Sequence, residues 1–284
     1  MNSRLSVVRN PLQQDPSAPR ARPHVIAHRG ASAIAPENSL IAFRLAAESG
    51  ADMIETDAHL SRDGHVVLIH DADLAQTTNC SGNVADLSAA DLALCNTGYW
   101  FANDIHNEHP YRALGLGVPT LANMFDTIDD VNPSMYVNIE IKNLPEEMDY
   151  DPTDRLTSRL VGQLRALGVI DRIIVSSFNP ESIDRIKALD PSIRTAYLCA
   201  PWSDIHARTA YAVARGHDAL HPHHSLLGRL PTARNIVAMV HQAGLEMNVW
   251  TVNDPERMRE LAAAGVDGIM TDDPERLKKV LECC

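Results

Sequence analysis

Ionisable side chains in the first half of this sequence lie at the ends of short apolar runs that are typical of β-strands. Glu55 and Asp57 are two residues apart in MIETD, so both would face the same side of a strand. Glu140, in the later run YVNIEI, can complete a set of three carboxylates. Converging carboxylates repel one another unless a cation neutralises them, and an all-oxygen set selects Mg²⁺ or Ca²⁺. We therefore predict that these three acids hold one divalent cation.

Two histidines and two basic side chains accompany these acids. His28 and His70 end the runs VIAH and VVLIH, and histidine can donate or accept a proton near neutral pH. Arg29 offers a planar fork that matches phosphate oxygens, and Lys142 offers a compact positive charge. We predict that the histidines are an acid–base pair for cleavage of a phosphodiester bond. Which histidine is the acid is left open.

A further polar pair, Glu37 and Asn38, stands in APENS, shortly after Arg29. We predict that Asn38 contacts the substrate or its phosphate, and that Glu37 binds either the metal or the substrate. Purely structural alternatives remain for all of these charges. The acids alone are also typical of a solvated rim. Lys142 with Glu140, and Arg29 with Glu37, are also compatible with structural ion pairs.

Eight apolar runs alternate with helical patterns along the chain. The predicted strands lie near residues 24–28, 53–57, 136–141, 172–176, 194–198, 218–221, 247–251 and 267–271. Several of the helical segments begin at an Asn, Ser or Asp-Pro signal and end at glycine. Such alternation predicts a parallel sheet, and eight units close into a (β/α)₈ TIM barrel, which carries its chemistry at the carboxyl ends of its strands. The residues named above lie at those ends or just beyond them.

One apolar run, residues 66–70, follows the second strand with no helix between them. Asp63-Gly64 predicts a two-residue type I′ turn, which would place Asp57 directly opposite His70 with Cβ atoms about 5 Å apart. The following segment is rich in turn residues and is predicted to be irregular. The predicted fold is thus an α/β TIM barrel with a hairpin and an irregular insertion, about residues 58–119, after the second strand.

Composition predicts one large domain. A chain of 284 residues that is 45% hydrophobic can bury a sizeable core. We predict a mobile leader at 1–23 and a single barrel domain at 24–284. The net charge of −12 argues against nucleic-acid binding, and no apolar run is long enough for a membrane helix. The predicted partner is a small phosphodiester, and the oligomeric state is left open.

The cysteine pattern bears on the compartment. The five positions are Cys80, Cys95, Cys199, Cys283 and Cys284. Their odd number and irregular spacing disfavour a disulfide framework and indicate a reducing cytoplasm. Cys80 and Cys95 lie in the predicted insertion and lack metal-ligand spacing. We therefore predict a cytoplasmic protein.

Five short motifs follow one another in a specific order: HRG at 28–30, PEN at 36–38, E-x-D at 55–57, HD at 70–71 and E-x-K at 140–142. In this order and spacing the chain resembles the glycerophosphodiester phosphodiesterase family, from residue 24 to about residue 277. The resemblance implies divalent-metal-aided hydrolysis of glycerophosphodiesters to glycerol 3-phosphate and an alcohol. It implies that His28 and His70 are the acid–base pair and that Trp250 contacts the substrate. Attack by water and attack by a glycerol hydroxyl, which gives a cyclic phosphate, both stay open.

Two departures from the family pattern are visible. Ser39 replaces the commoner threonine after PEN, and Ala58-His59 is unusual after E-x-D; neither removes a catalytic group. Two other functions remain as alternatives. One is a sphingomyelinase-D-like phospholipase on the same barrel, which should show a secretory segment, disulfides and an exposed apolar face. The other is a non-catalytic binding relative that kept the fold.

Overall fold

A closed barrel of parallel strands forms the centre of the protein in a computed structural model, which describes residues 22–102 and 108–283. The strands are β1 (His24–Ala27), β2 (Met53–Leu60), β3 (Val66–Leu68), β4 (Tyr136–Ile141), β5 (Ile173–Ser177), β6 (Arg194–Cys199), β7 (Ala219–Pro222), β8 (Glu246–Val249) and β9 (Gly268–Thr271). All are parallel except β3, which is antiparallel to β2. Because β1 pairs with both β2 and β9, the eight parallel strands close, and the predicted TIM barrel is confirmed.

Helices connect the strands and cover the barrel. They are α1 (Leu40–Glu48), α2 (Ala89–Leu92), α3 (Leu121–Asp129), α4 (Arg155–Leu167), α5 (Pro180–Leu189), α6 (Ile205–Arg215), α7 (Thr232–Gln242), α8 (Pro255–Ala264) and α9 (Pro274–Glu282). Their starts follow capping chemistry: Ser39 accepts from the amide of Ala42, and Asp254 caps α8, which begins with proline. Among the described residues, none of the helices is long and apolar enough to cross a membrane.

The barrel interior changes character along its axis. A small buried cluster closes it, with side chains from alternate strand positions: Ile26, Met53, Ile174, Ala196, Ala219 and Met270. Residues two apart on a strand face the same side, so the next inward positions include His28, Glu55 and Asp272. A polar layer therefore lies above the apolar plug, at the carboxyl ends of the strands. The larger hydrophobic core lies between the strands and the helices.

The β2–β3 hairpin forms, but its predicted register is wrong by one residue. Ala58 pairs with Leu68, and the amide of Ile69 donates to the carbonyl of Asp57, so Asp57 is opposite Ile69 and not His70. The turn has three loop residues, not two, with positive φ at Gly64 alone. Asp63 does not take the left-handed conformation that a type I′ turn requires, and the loop is a type I turn with a glycine bulge.

The insertion after the hairpin is folded around its own small core, formed by Val67, Ile69, Leu74, Val84, Leu92, Cys95 and Val118. It includes α2 and the short 3₁₀ turns Val84–Asp86 and Arg112–Leu114, so its backbone is less irregular than predicted. Cys80 and Cys95 form a disulfide with a Cα–Cα distance of 5.4 Å. The prediction against a disulfide framework is therefore wrong for this pair, because the fold brings together residues that are 15 positions apart.

Several predicted segments lie partly outside the described residues. The leader is described only for its last two positions, and residues 103–107 of the insertion and Cys284 are also outside. At the described start, Arg22 forms an ion pair of 2.6 Å with Asp52, whose other contacts include the amide of Val25. These contacts fix the entry into β1. The predicted division into leader and domain remains a prediction.

Candidate active site

Three carboxylates meet at the carboxyl ends of β2 and β4. One oxygen from each of Glu55, Asp57 and Glu140 lies within 4.8 Å of the others. The strand register explains the meeting, because Asp57 pairs with Glu140 across β2 and β4, and Glu55 faces the same side two positions earlier. Glu55 and Asp57 are buried, at 3% and 1% exposure. Carboxylates this close and this dry need a compensating cation, and an all-oxygen donor set fits a hard divalent ion.

The charges of the cluster are unevenly compensated. Burial, together with the charges of Asp57 and Glu140, raises the pKa of Glu55 well above its usual range. Burial alone would also raise the pKa of Asp57, but the positive charges of Arg29 and Lys142 and a hydrogen bond from Asn38 help to lower it. The burial of Glu55 is thus offset less by protein cations than the burial of Asp57 is, and a bound metal would supply what is missing.

The loop after β1 holds its functional groups through an unusual backbone. Arg29 and Asn38 both have positive φ, +54° and +52°. This conformation directs the Arg29 amide to Glu55 Oε2 at 2.9 Å. Gly30 follows, and a Cβ there would come within 2.7 Å of the Ala42 backbone, so the site requires glycine. The HRG motif therefore shapes the backbone as well as providing two side chains.

Asn38 and Glu37 contact other site residues. Asn38 Nδ2 donates to Asp57 Oδ2 at 2.8 Å, and its Oδ1 accepts from Thr56 Oγ1 at 2.7 Å. Asn38 is 2% exposed, so its observed role is to orient Asp57. Glu37 accepts from Arg29 Nη1 at 3.0 Å. The contacts that were predicted for these two residues with substrate or metal stay predictions.

The two cations each contact a different carboxylate of the cluster. Arg29 Nε is 3.3 Å from Asp57 Oδ2, close enough for an ion pair but not aligned as a hydrogen bond. Lys142 Nζ is 3.3 Å from Glu140 Oε1 and is 6% exposed. Burial alone would lower the pKa of Lys142, but the charges of Glu140 and Asp57 raise it. Both ion pairs that the sequence offered as structural alternatives are present, and both cations also line the pocket.

Each of the two histidines is held by a carboxylate at Nδ1. His28 Nδ1 is 2.7 Å from Asp272 Oδ1, and its Nε2 is 4.0 Å from Glu55 Oε2. His70 Nδ1 is 2.9 Å from Asp71 Oδ1, and its Nε2 is 3.3 Å from Lys142 Nζ. Both Nε2 atoms therefore lie next to charged groups of the carboxylate cluster. His70 reaches this position despite the shifted hairpin register, because β3 ends at Leu68 and the chain bends after it.

The sequence did not reveal Asp272 as a functional residue. It follows β9, 244 residues after His28, and it also accepts from Asn253 Nδ2. Burial alone would raise the pKa of Asp272, but its hydrogen bond with His28 lowers it. Asp272-Asp273-Pro274 looks like a helix-capping signal, and Asp273 does cap α9. The one available signal was the position of Asp272 directly after the last barrel strand.

The opposite wall of the pocket is apolar. Phe178, Leu198 and Trp250 line it, Met270 of the apolar plug also borders the pocket, and the cavity volume is about 100 Å³. The Phe178 and Trp250 rings meet edge to face with centroids 5.5 Å apart. Trp250 Nε1 donates to the carbonyl of His221 at 2.6 Å, which fixes the indole. Trp250 thus lies in the pocket with the carboxylates, as its predicted role requires.

The fold and the acidic cluster define a (β/α)₈-barrel protein whose mouth could hold a metal ion beside two carboxylate-bound histidines. The chain belongs to the glycerophosphoryl diester phosphodiesterase family, whose model matches residues 28–276. The described site lies within that range.

Curated relatives and solved structures agree with this assignment. A glycerophosphodiester phosphodiesterase of Caldanaerobacter subterraneus is 34% identical over 89% of this chain and 95% of its own. One from Bacillus altitudinis is 30% identical over 91% of this chain and 98% of its own. An Oleispira antarctica phosphodiesterase, solved with the product sn-glycerol-3-phosphate, has a TM-score of 0.79 at 27% identity, covering 92% of this chain and 97% of that one.

Proposed function

We propose that this protein hydrolyses glycerophosphodiesters to glycerol 3-phosphate and an alcohol, with one divalent cation. The observation that carries the proposal is the convergence of three carboxylates, two of them buried, between two carboxylate-bound histidines, beside a pocket that Arg29 and Lys142 also line. The family membership and the product complex of the Oleispira relative support the same substrate class.

Glu55, Asp57 and Glu140 would hold the cation, which is Mg²⁺ or Ca²⁺ because the donors are all oxygens. When bound, it would polarise the phosphoryl oxygens and help to activate the nucleophile. The side chains of the pocket position the rest of the substrate. Arg29 and Lys142 face the remaining phosphate charge, and the apolar wall around Trp250 takes the organic part of the substrate.

The surroundings of the two histidines favour different proton roles. The Lys142 ammonium can only donate, so His70 Nε2 accepts from it, and the single N–H of the neutral ring is at Nδ1, on the Asp71 side. A neutral ring can take a proton from the attacking hydroxyl or water. His28 lies between the carboxylates of Asp272 and Glu55, which suits a ring that carries and donates a proton. We therefore assign His70 as the base and His28 as the acid for the leaving alcohol.

Leaving groups that differ in basicity test this assignment. On glycerophosphocholine, His28→Ala and His70→Ala should each lower kcat by about 10²–10⁴-fold. On the p-nitrophenyl ester of glycerol phosphate, whose leaving group departs without a proton, His28→Ala should approach wild-type turnover and His70→Ala should not. If His70→Ala, and not His28→Ala, approached wild-type turnover on the p-nitrophenyl ester, the acid and base roles of the two histidines would be reversed.

A product-release assay tests the activity itself. Glycerophosphocholine, glycerophosphoethanolamine and glycerophosphoglycerol are compared with chelator and after Mg²⁺ or Ca²⁺ is restored, with sphingomyelin as the test of the phospholipase alternative. The proposal expects metal-restored release of glycerol 3-phosphate. Turnover of sphingomyelin with none of the three diesters would contradict it.

The compartment and the partners beyond the substrate stay predictions. The cytoplasmic prediction rested on the odd number and irregular spacing of the cysteines, and the Cys80–Cys95 disulfide removes part of that support, since disulfides persist mainly in oxidising compartments. Thiol counting on protein that is isolated without reductant tests this point. The predicted lack of nucleic-acid binding still rests on the net charge of −12.

A further inference from the structure

His59 is a fully buried histidine directly beside the metal-binding strand end, and the catalytic scheme above does not use it. Its exposure is 0%, and it does not line the pocket. It lies two positions after Asp57 on β2, so its side chain is on the same face of the strand as those of Glu55 and Asp57, one step further from the apolar plug. A buried titratable side chain is costly unless its polar atoms are paired.

Both ring nitrogens of His59 have a partner. Nδ1 is 2.6 Å from Asp149 Oδ2, and Nε2 is 3.0 Å from the carbonyl oxygen of His70. A carbonyl can only accept, so Nε2 carries a proton and donates it. Asp149 is itself 5% exposed in its side chain and lies in the loop between β4 and α4. The pair thus joins that loop to the backbone of the catalytic His70.

The His70 backbone needs such a contact. β3 ends at Leu68, so His70 lies beyond the ladder that aligns the hairpin. In the part of the chain that the structure describes, no main-chain amide donates to the His70 carbonyl. The His59 ring therefore satisfies a carbonyl that the sheet leaves unpaired.

We propose that His59, anchored by Asp149, is a positioning residue that fixes the backbone of His70, while Asp71 fixes the His70 ring. The two contacts together determine where His70 Nε2 points relative to Lys142 and the carboxylates. This inference rests on the proposed function of His70 and adds a residue to it. His59 touches neither substrate nor metal in this scheme.

A double-mutant cycle on kcat tests the proposal, with glycerophosphocholine as substrate. His59→Asn keeps an amide donor near the Nδ1 position for Asp149 and loses the donor to the His70 carbonyl. It should lower kcat by about 10–100-fold, as loss of an orienting partner does, with KM nearly unchanged. His59→Gln places its amide near the Nε2 position and should restore most of the turnover.

The decisive comparison uses the His70→Ala background. That variant keeps the His70 carbonyl but lacks the imidazole, so a positioning effect disappears whereas a general structural effect persists. His59→Asn should therefore change the residual kcat of His70→Ala by less than about twofold. His65→Asn, the same substitution at an exposed position of the same hairpin, is the control and should leave kcat unchanged.

If His59→Asn lowers kcat by the same factor in both backgrounds, the proposal is overturned. Asp149→Asn, which is isosteric and keeps an acceptor for Nδ1, is carried through the same cycle in case His59→Asn does not fold. Asp149→Asn should lower kcat by a smaller factor than His59→Asn, and this effect should also disappear in the His70→Ala background. Wild-type protein without diesterase turnover would contradict the proposed function, whereas active wild-type protein with additive losses would contradict only this inference.

Discussion

The two sides of the barrel mouth differ in chemistry. The side built by β1, β2 and β4 carries the three carboxylates, Arg29 and Lys142, with one histidine from β1 and one from the hairpin. The side built by β5, β6 and β8 presents Phe178, Leu198 and Trp250. The difference indicates a division of labour, in which one side handles phosphate, metal and protons and the other takes the organic part of the substrate.

The largest expected effect comes from removing a carboxylate from the charged side. Glu55→Gln should lower turnover by more than about 100-fold, beyond what loss of an orienting partner costs, because it removes a direct ligand. Residual turnover should no longer respond to chelator or to added Mg²⁺ or Ca²⁺. Glu181→Gln, on the exposed first turn of α5, is the matched control. Unchanged metal dependence in Glu55→Gln would show that the ligand assignment is wrong.

A smaller effect is expected from the carboxylate that orients His28. Asp272→Asn should lower kcat by about 10–100-fold with little change in KM, because the ring loses its charged partner while the pocket keeps its shape. Steady-state kinetics with glycerophosphocholine measures both constants. Equal kcat in the variant and the wild type would show that Asp272 does not support catalysis.

The same substitution has a signature in stability. Since the pKa of Asp272 is lowered in the folded protein, its contribution to stability is present above the unfolded value of about 3.9 and is lost as pH falls below it. The free energy of unfolding of Asp272→Asn should therefore fall less than that of the wild type as pH drops below this value. Urea unfolding between neutral and acid pH measures the two slopes, and identical slopes would contradict the assigned pKa shift.

The smallest effect is expected on the apolar side. Trp250→Ala should raise KM by about tenfold and leave kcat nearly unchanged, because apolar contact with the substrate acts on binding before and during the reaction. Trp250→Phe keeps an aromatic ring but loses the hydrogen bond to the His221 carbonyl. Its KM should therefore lie between the KM of the wild type and that of Trp250→Ala. A loss confined to kcat would place Trp250 among the groups that act on the reacting atoms.

Comparison across substrates sharpens the same experiment. If Trp250→Ala raises KM equally for glycerophosphocholine and glycerophosphoethanolamine, the indole contacts the shared glycerol. If the two rises differ, it contacts the alcohol. The result assigns one part of the substrate to the apolar side of the mouth.

The sequence predicted the barrel and its charged side well because both follow from local periodicity. Strand runs and helix caps can be recognised from a few consecutive residues, and Glu55, Asp57 and Glu140 occupy regular positions at strand ends. The hairpin register failed because Asp63-Gly64 is compatible with more than one turn, and the choice depends on the packing of β3. The Cys80–Cys95 bond was missed because the small core of the insertion has no regular period.

What the sequence alone determined is the set of strand-end side chains, since the alternation of apolar and polar residues fixes which of them face inward. The tertiary structure alone decided the partners that hold them. Asp272 reaches His28 across 244 positions and Asp149 reaches His59 across 90. Such contacts form only where the closing barrel brings distant strand ends together, and no local pattern in the chain encodes them.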